Sequence, residues 1–133
     1  MSHADTIRSL YEAFGRGDID AILERLAPDV QWDCDRAPNE VPWLQPLRGR
    51  HEVPKFFAAL AEHLELRRFE PKVILESSDT VLVMFQYEGI VRRTGKPIPE
   101  IEAAHIWHFD KSGRITSYKN AVDSHGTSQA LRA

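Results

Sequence analysis

Apolar residues recur along this chain with two periods, and the change from one to the other near Phe69 divides it into a helical part and a strand part. Ile7, Leu10, Tyr11 and Phe14 fall at i, i+3, i+4 and i+7, the single stripe of an amphipathic helix that Gly15 and Gly17 end. Asp18 is placed to cap a second, short helix carrying Ile19, Ile22, Leu23 and Leu26, which Pro28 is expected to stop. Val30, Trp32 and Cys34 alternate with Gln31, Asp33 and Asp35, the pattern of a half-buried strand. A third helical stripe, Val53, Phe56, Phe57, Leu60, Ala61 and Leu64, follows Pro54, a residue tolerated in a first turn. From Phe69 the period is two. It predicts strands over Phe69–Ser77, Thr80–Arg92, Pro97–Phe109 and Arg114–Asp123, with turns at Ser78-Asp79, Thr94-Gly95-Lys96 and Lys111-Ser112-Gly113.

Between the first strand and the third helix, Arg36 to Arg50 hold Pro38, Pro42, Pro46 and Gly49 and so form a loop. Val41, Trp43, Leu44 and Leu47 make it apolar, so it either lids a pocket or plugs one end of the core. His125 to Ala133 is a frayed tail or a short terminal helix, and the Arg16-Gly17-Asp18 triplet is a turn. One α+β domain over residues 1–133, with its core at about 4–124, accounts for the chain.

Each long strand turns one face to the helices. In the third, Ile101, Ala103, His105, Trp107 and Phe109 form the more apolar set. In the fourth, Thr116, Tyr118, Asn120 and Val122 do so, although Ile115 argues for the opposite face. A two-residue turn at Lys111-Ser112 sets His105 opposite Tyr118 and Ala103 opposite Asn120. In the second, Val81, Val83, Phe85, Tyr87 and Val91 point inward. The core so built has many polar groups among its aromatic rings: His105, Tyr118, Asn120, Thr116, Tyr87 and Cys34. Polar groups converging in an apolar cavity describe a ligand pocket, and the alternative is that they satisfy one another or bound water. The aromatic and aliphatic lining is expected from Trp32, Trp43, Phe56, Phe57, Phe85, Tyr87, Trp107 and Val122.

Charge and composition narrow the partner. The formal net charge is −3 and no Lys/Arg block exceeds two residues, which argues against nucleic acid or an anionic membrane. Met1 to Leu10 carry His3, Asp5 and Arg8, so neither a signal peptide nor a membrane span is expected. One cysteine suits the cytosol and allows no internal disulfide. His105 and His108 face opposite sides of one strand and His51-Glu52 lacks a second His at helical spacing, so no metal site is expected, and no phosphate-binding Gly-rich loop occurs. The expected partner is a small hydrophobic molecule, with no cofactor. His105 is the candidate acid/base, Tyr118, Tyr87 or Asn120 the groups that polarise a carbonyl, and Cys34 with His105 and Asn120 a candidate thiol constellation set against an inert buried cysteine.

Several short segments then carry a resemblance. Tyr11-Glu12-Ala13-Phe14-Gly15-Arg16-Gly17-Asp18-Ile19-Asp20, Leu26-Ala27-Pro28-Asp29-Val30-Gln31-Trp32, Leu47-Arg48-Gly49, Thr94-Gly95-Lys96-Pro97, His105-Ile106-Trp107-His108-Phe109 with Gly113-Arg114-Ile115, and Tyr118-Lys119-Asn120-Ala121-Val122-Asp123 stand in order. Together they resemble nuclear transport factor 2-like domains of the SnoaL-like, ketosteroid-isomerase-related branch. The resemblance implies a cone-shaped α+β barrel, three N-terminal helices on a strongly curved, mostly antiparallel sheet enclosing a pocket, and a homodimer. The fold hosts isomerases, cyclases, hydratases, epoxide hydrolases and binding modules, so it names no reaction.

Carried over position by position, the known machinery is missing. The aspartate base of ketosteroid isomerases falls on Cys34, or on Asp33 or Asp35 after a one-residue shift; their helix tyrosine falls on Leu10, next to Tyr11; their oxyanion-hole aspartate falls on His105. The Arg/Asp pair of limonene-type epoxide hydrolases falls on Phe85 and Tyr87, their other aspartate on Asn120, and their strand tyrosine and asparagine on Trp32 and Cys34. Whether Asp33, Asp35 or Asp123 enters the pocket stays open. Two readings follow: a cofactor-free isomerase, cyclase or dehydratase acting on a hydrophobic carbonyl compound, or a non-catalytic binding module of the same fold.

Overall fold

The computed structural model describes residues 2–98 and 102–132. The expected Ile101 side chain lies outside the described residues. Helix α1 (His3–Gly15) begins at a capping box, Ser2 with Asp5, and buries Ile7, Leu10 and Ala13. Asp18 caps α2 (Ile19–Leu23), its carboxylate accepting from the Ala21 N–H at 3.2 Å. The helix ends before Pro28, which lies inside β1 (Leu26–Trp32) instead of stopping a helix. There it meets no obstacle, because the β1 ladder to its neighbour is interrupted between Leu26 and Gln31, where a residue without an N–H fits.

The two-residue strand β2 (Leu47–Arg48) and α3 (Pro54–His63) follow, with Pro54 in the first turn of α3. Phe56, Phe57 and Leu60 face inward on α3 yet stay half-buried, because the space beneath them is partly empty; Ala61, expected in the stripe, is exposed. Strand β3 (Leu64–Ser77) starts five residues earlier than the alternation indicated and pairs along its length with β4 (Thr80–Val91). Strands β5 (Ala103–Phe109) and β6 (Ile115–Ala121) complete a six-stranded sheet in the order β2-β1-β6-β5-β4-β3, antiparallel except for β1 with β6. Bulges near Leu66/Arg68 and Pro71/Val73 bend β3 on the side where α1 and α3 contact it. The α+β cone is the expected one, but the sheet is open, with β2 and β3 at its edges.

The inner faces are those the alternation indicated: Val81, Val83, Phe85, Tyr87 and Val91 on β4, and Ala103, His105, Trp107 and Phe109 on β5, are buried. The register is not. His105 pairs with Asn120 and Trp107 with Tyr118, two residues away from the expected match. The turn holds three residues, closed by Asp110 N–H to Arg114 O at 2.9 Å with Gly113 at φ +87°, and a bulge beside Phe109 absorbs one more. A shift of two preserves the faces. The same bulge buries Ile115 and leaves Thr116 half-buried, its hydroxyl donating to His108 O at 3.3 Å.

The C-terminal segment is helix α4 (Ser124–Leu131) and not a frayed tail. Asp123 caps it, accepting from the Gly126 N–H at 2.9 Å, and Thr127, Ala130 and Leu131 are buried. Its last carbonyls are tied to the β4–β5 connection by Arg93, Thr94 and Lys96. Among the described residues no helix is long and apolar enough to cross a membrane.

Candidate functional site

Between the helices and the inner face of the sheet lies a cavity of about 100 Å³. Of the sequence-derived polar candidates, His105, Tyr118, Asn120 and Tyr87 line it, as do Trp32, Trp43, Phe56, Phe57, Phe85, Trp107 and Val122. Cys34 does not. Asp33 adopts φ +58°, which reverses the alternation after Trp32 and buries Asp33 in place of Cys34. The thiol instead donates to Leu47 O at 3.2 Å, so no Cys34–His105–Asn120 constellation assembles.

The aspartates left open by the sequence also separate here. Asp33 is buried beside the cavity but not in it, ion-paired with Arg36 at 2.8 Å. Asp35 is exposed, and Lys119 at 2.6 Å holds its carboxyl below the usual range. Asp123 caps α4. Among the described residues lining the cavity, none is Asp, Glu, Lys or Arg.

The loop over 36–50 combines both expected roles. Val41 and Leu44 are fully buried in a cluster with Leu131, and Trp43 beside them reaches the cavity. Asn39 braces the loop, donating to Leu44 O and accepting from Val41 N–H, both at 2.9 Å.

The polar centre is a pair that spans sheet and helix. Tyr11 Oη lies 2.8 Å from His105 Nδ1, and Trp107 Nε1–H donates to the same hydroxyl at 3.3 Å. An indole only donates and a neutral imidazole carries one proton. The arrangement that leaves fewest groups unpaired sends the Tyr11 O–H to Nδ1 and places the imidazole proton on Nε2, for which no described residue supplies an acceptor. Tyr11 was the residue sequence reasoning passed over, since it fits the apolar stripe of α1; its signal was a phenol tip on a helix face otherwise without polar atoms. Phe69, which packs 5.5 Å from Tyr11 and 4.8 Å from Phe85, was missed because it stood at the predicted end of a strand that the structure extends back to Leu64.

Burial decides the protonation of the centre. His105 is enclosed by Phe85 at 4.2 Å and Tyr118 at 5.1 Å, has no carboxylate partner among the described residues, and desolvation lowers its pKa to about 3. Burial thus keeps the His105 imidazole neutral near pH 7, one ring nitrogen a hydrogen-bond donor and the other an acceptor. Desolvation likewise pushes the Tyr11 and Tyr118 phenols above their ordinary value. Two buried polar atoms of lining residues, Trp32 Nε1 and Asn120 Oδ1, have no hydrogen-bond partner.

The Tyr11–His105 bond yields a double-mutant prediction. Tyr11→Phe strands His105 Nδ1 and the Trp107 indole N–H, His105→Leu strands the Tyr11 hydroxyl, and each is expected to lose about 1–2 kcal/mol. The double variant is expected to lose about 1 kcal/mol less than the sum, because only the Trp107 indole N–H is left stranded. Urea unfolding of all four proteins measures this, and additive losses would rule out the bond.

Comparison with known proteins follows the same outline. A family model described as a SnoaL-like domain matches residues 7–118. An NTF2-like protein from Burkholderia thailandensis E264 superposes with a TM-score of 0.85 at 27% identity, covering 100% of this chain and 99% of that one. TerC, co-crystallised with polyporic acid, gives a TM-score of 0.80 at 23% identity over 99% of this chain and 100% of its own. A putative polyketide cyclase from Pseudomonas putida KT2440 gives 0.77 at 16% identity over 99% of each chain. Among curated proteins none matches in sequence. With the model match covering most of the chain and the fold shared from end to end, the chain belongs to the SnoaL-like domain family, within the NTF2-like fold.

Proposed function

We propose that this protein binds a small hydrophobic carbonyl compound in the cavity and acts on it as a cofactor-free isomerase, cyclase or dehydratase. The observation that carries the reading is the Tyr11–His105 pair, a neutral imidazole oriented by a buried phenol and an indole. Its Nε2–H is the group that stabilises charge developing on the carbonyl oxygen, as a preorganised donor in a dry site. Neutral imidazole does this without the desolvation cost of a buried imidazolium. The chemistry suits enolisation and its relatives, and the names of similarly folded proteins, a putative polyketide cyclase and a putative isomerase, are in keeping with it.

A second reading, a binding module without catalysis, is favoured by one observation: no carboxylate is among the described lining residues, so no strong base faces the ligand. The test uses 2-cyclohexenone in D2O followed by NMR. Catalysis predicts that protein accelerates exchange of the protons next to the conjugated carbonyl and that His105→Leu abolishes the effect. Saturable binding without exchange selects the binding module.

The reading extends to assembly. On the outer sheet face Leu82, Met84, Ile90, Ala104 and Ile106 are only half-buried, and Val73 and Leu75 are exposed. That face is more apolar than water favours. A homodimer through it is expected to sediment at twice the 15.2 kDa chain mass. A monomer at micromolar concentration would overturn it. The reading also keeps the cytosol as the compartment, since the lone Cys34 pairs with nothing in the chain.

A further inference from the structure

We infer that the ligand is an uncharged, ring-sized hydroxy-carbonyl compound, whose hydroxyl is read by Asn120 and Trp32 while its carbonyl is read by His105. The inference rests on the carbonyl reading above and adds the hydroxyl, the neutrality and the residues that select for them.

The argument is a count of donors and acceptors. Trp107 Nε1, Tyr11 Oη and His105 Nδ1 satisfy one another. Two buried atoms are without a partner, the donor Trp32 Nε1–H and the acceptor Asn120 Oδ1, and the tautomer adds the donor His105 Nε2–H; the Asn120 amide N–H groups are further donors that the same ligand oxygens can satisfy. Trp32 and Asn120 are 1% and 8% exposed, so bulk water does not serve them. Tyr118 Oη can donate or accept and does not tip the count. A ketone or aldehyde supplies one acceptor and leaves two groups unpaired. A carbonyl with a hydroxyl supplies two oxygens that accept and one O–H that donates, so Asn120 Oδ1 and the donors around it all find partners.

Placement supports a shared ligand. Asn120 is the cross-strand neighbour of His105, and Trp32 pairs with Tyr118, two residues from Asn120 on the same face. The three groups therefore flank one patch of sheet, roughly the 7–8 Å of a diagonal pair, which one substituted ring can span. Trp32 stacks on Tyr118 at 4.1 Å, so its ring is held in place. Charge is excluded by the walls: no cationic side chain is among the described lining residues, and His105 stays neutral well below pH 7, so a carboxylate would be stripped of water without a counter-charge. The cavity, about 100 Å³, is smaller than the roughly 150 Å³ that takes up benzene, so a substituted ring enters by displacing the half-buried Phe56, Phe57 and Leu60 of α3 that line it.

Calorimetry with matched probes tests this: 3-hydroxybenzaldehyde, benzaldehyde, phenol, benzene and 3-hydroxybenzoate. The first is expected to bind at least about tenfold tighter than benzaldehyde or phenol, and 3-hydroxybenzoate not to bind. Asn120→Leu is expected to remove the preference for 3-hydroxybenzaldehyde over benzaldehyde, and Trp32→Phe to reduce it, with thermal melts confirming folded variants. Should a variant not fold, the wild-type ranking decides alone. Benzaldehyde binding as tightly as its hydroxylated form, or 3-hydroxybenzoate binding best, would overturn the inference while leaving the pocket reading intact. Absence of binding by every neutral probe would overturn both.

Discussion

Lowering the pH from 7 to 4 is expected to cost the wild-type protein about 3 kcal/mol more stability than it costs His105→Leu. The folded-state pKa of His105 is depressed to about 3, against 6.5 for a free imidazole. Between those values the unfolded chain holds a proton that the folded chain refuses. Stability then rises with pH, by about 1.4 kcal/mol per unit. The contribution is complete above pH 6.5 and is lost progressively as pH falls toward 3. Leucine at this position has no proton to bind, so the difference between the two unfolding curves isolates the imidazole from every carboxylate. Urea titrations at several pH values between 4 and 7 measure it. Parallel pH profiles would mean that His105 charges in the folded protein, and that the cavity admits water to it.

The second large effect lies just beside the cavity. Arg36→Met is expected to destabilise the fold by about 3 kcal/mol, because it removes the counter-charge of a buried carboxylate. The Asp33 and Arg36 side chains are only 7% and 13% exposed, and among the described residues the Asp33 carboxylate accepts one further hydrogen bond, from the Asn120 N–H at a long 3.4 Å. Asp33→Asn is expected to be milder, about 1 kcal/mol, since asparagine tolerates positive φ and keeps an acceptor while Arg36 retains some access to water. Equal small losses for both variants, measured by chemical unfolding, would show that the pair is solvated and does not brace β1 against β6.

How much of this was legible in the sequence depends on how local each feature is. The stripe of α1, the Asp18 cap and the two-residue period of β4 and β5 are decided by neighbours within a few positions, and they were read correctly. So was the aromatic wall, since alternation assigns Phe85, Tyr87, His105 and Trp107 to one face whatever the register. The order of short motifs from Tyr11 to Asp123 sufficed for the family because it samples every element of the fold in sequence.

Other features needed the tertiary structure, each for a stated physical reason. One residue at positive φ, Asp33, exchanged Cys34 for an aspartate at the edge of the site, and no local pattern announces such a reversal. A bulge and a three-residue turn set the β5–β6 register, because turn length is chosen by the packing that the turn must reach. The partnership of Tyr11 with His105 joins residues 94 positions apart on a helix and a strand, and only the fold brings them together. The protonation of His105 follows from how completely its neighbours exclude water. The sequence by itself determined which face of each element is apolar and which polar side chains share it; the tertiary structure decided which of them touch, which are left unpaired and which can carry charge, because hydrogen bonding and desolvation depend on distances between segments that the chain's order does not contain.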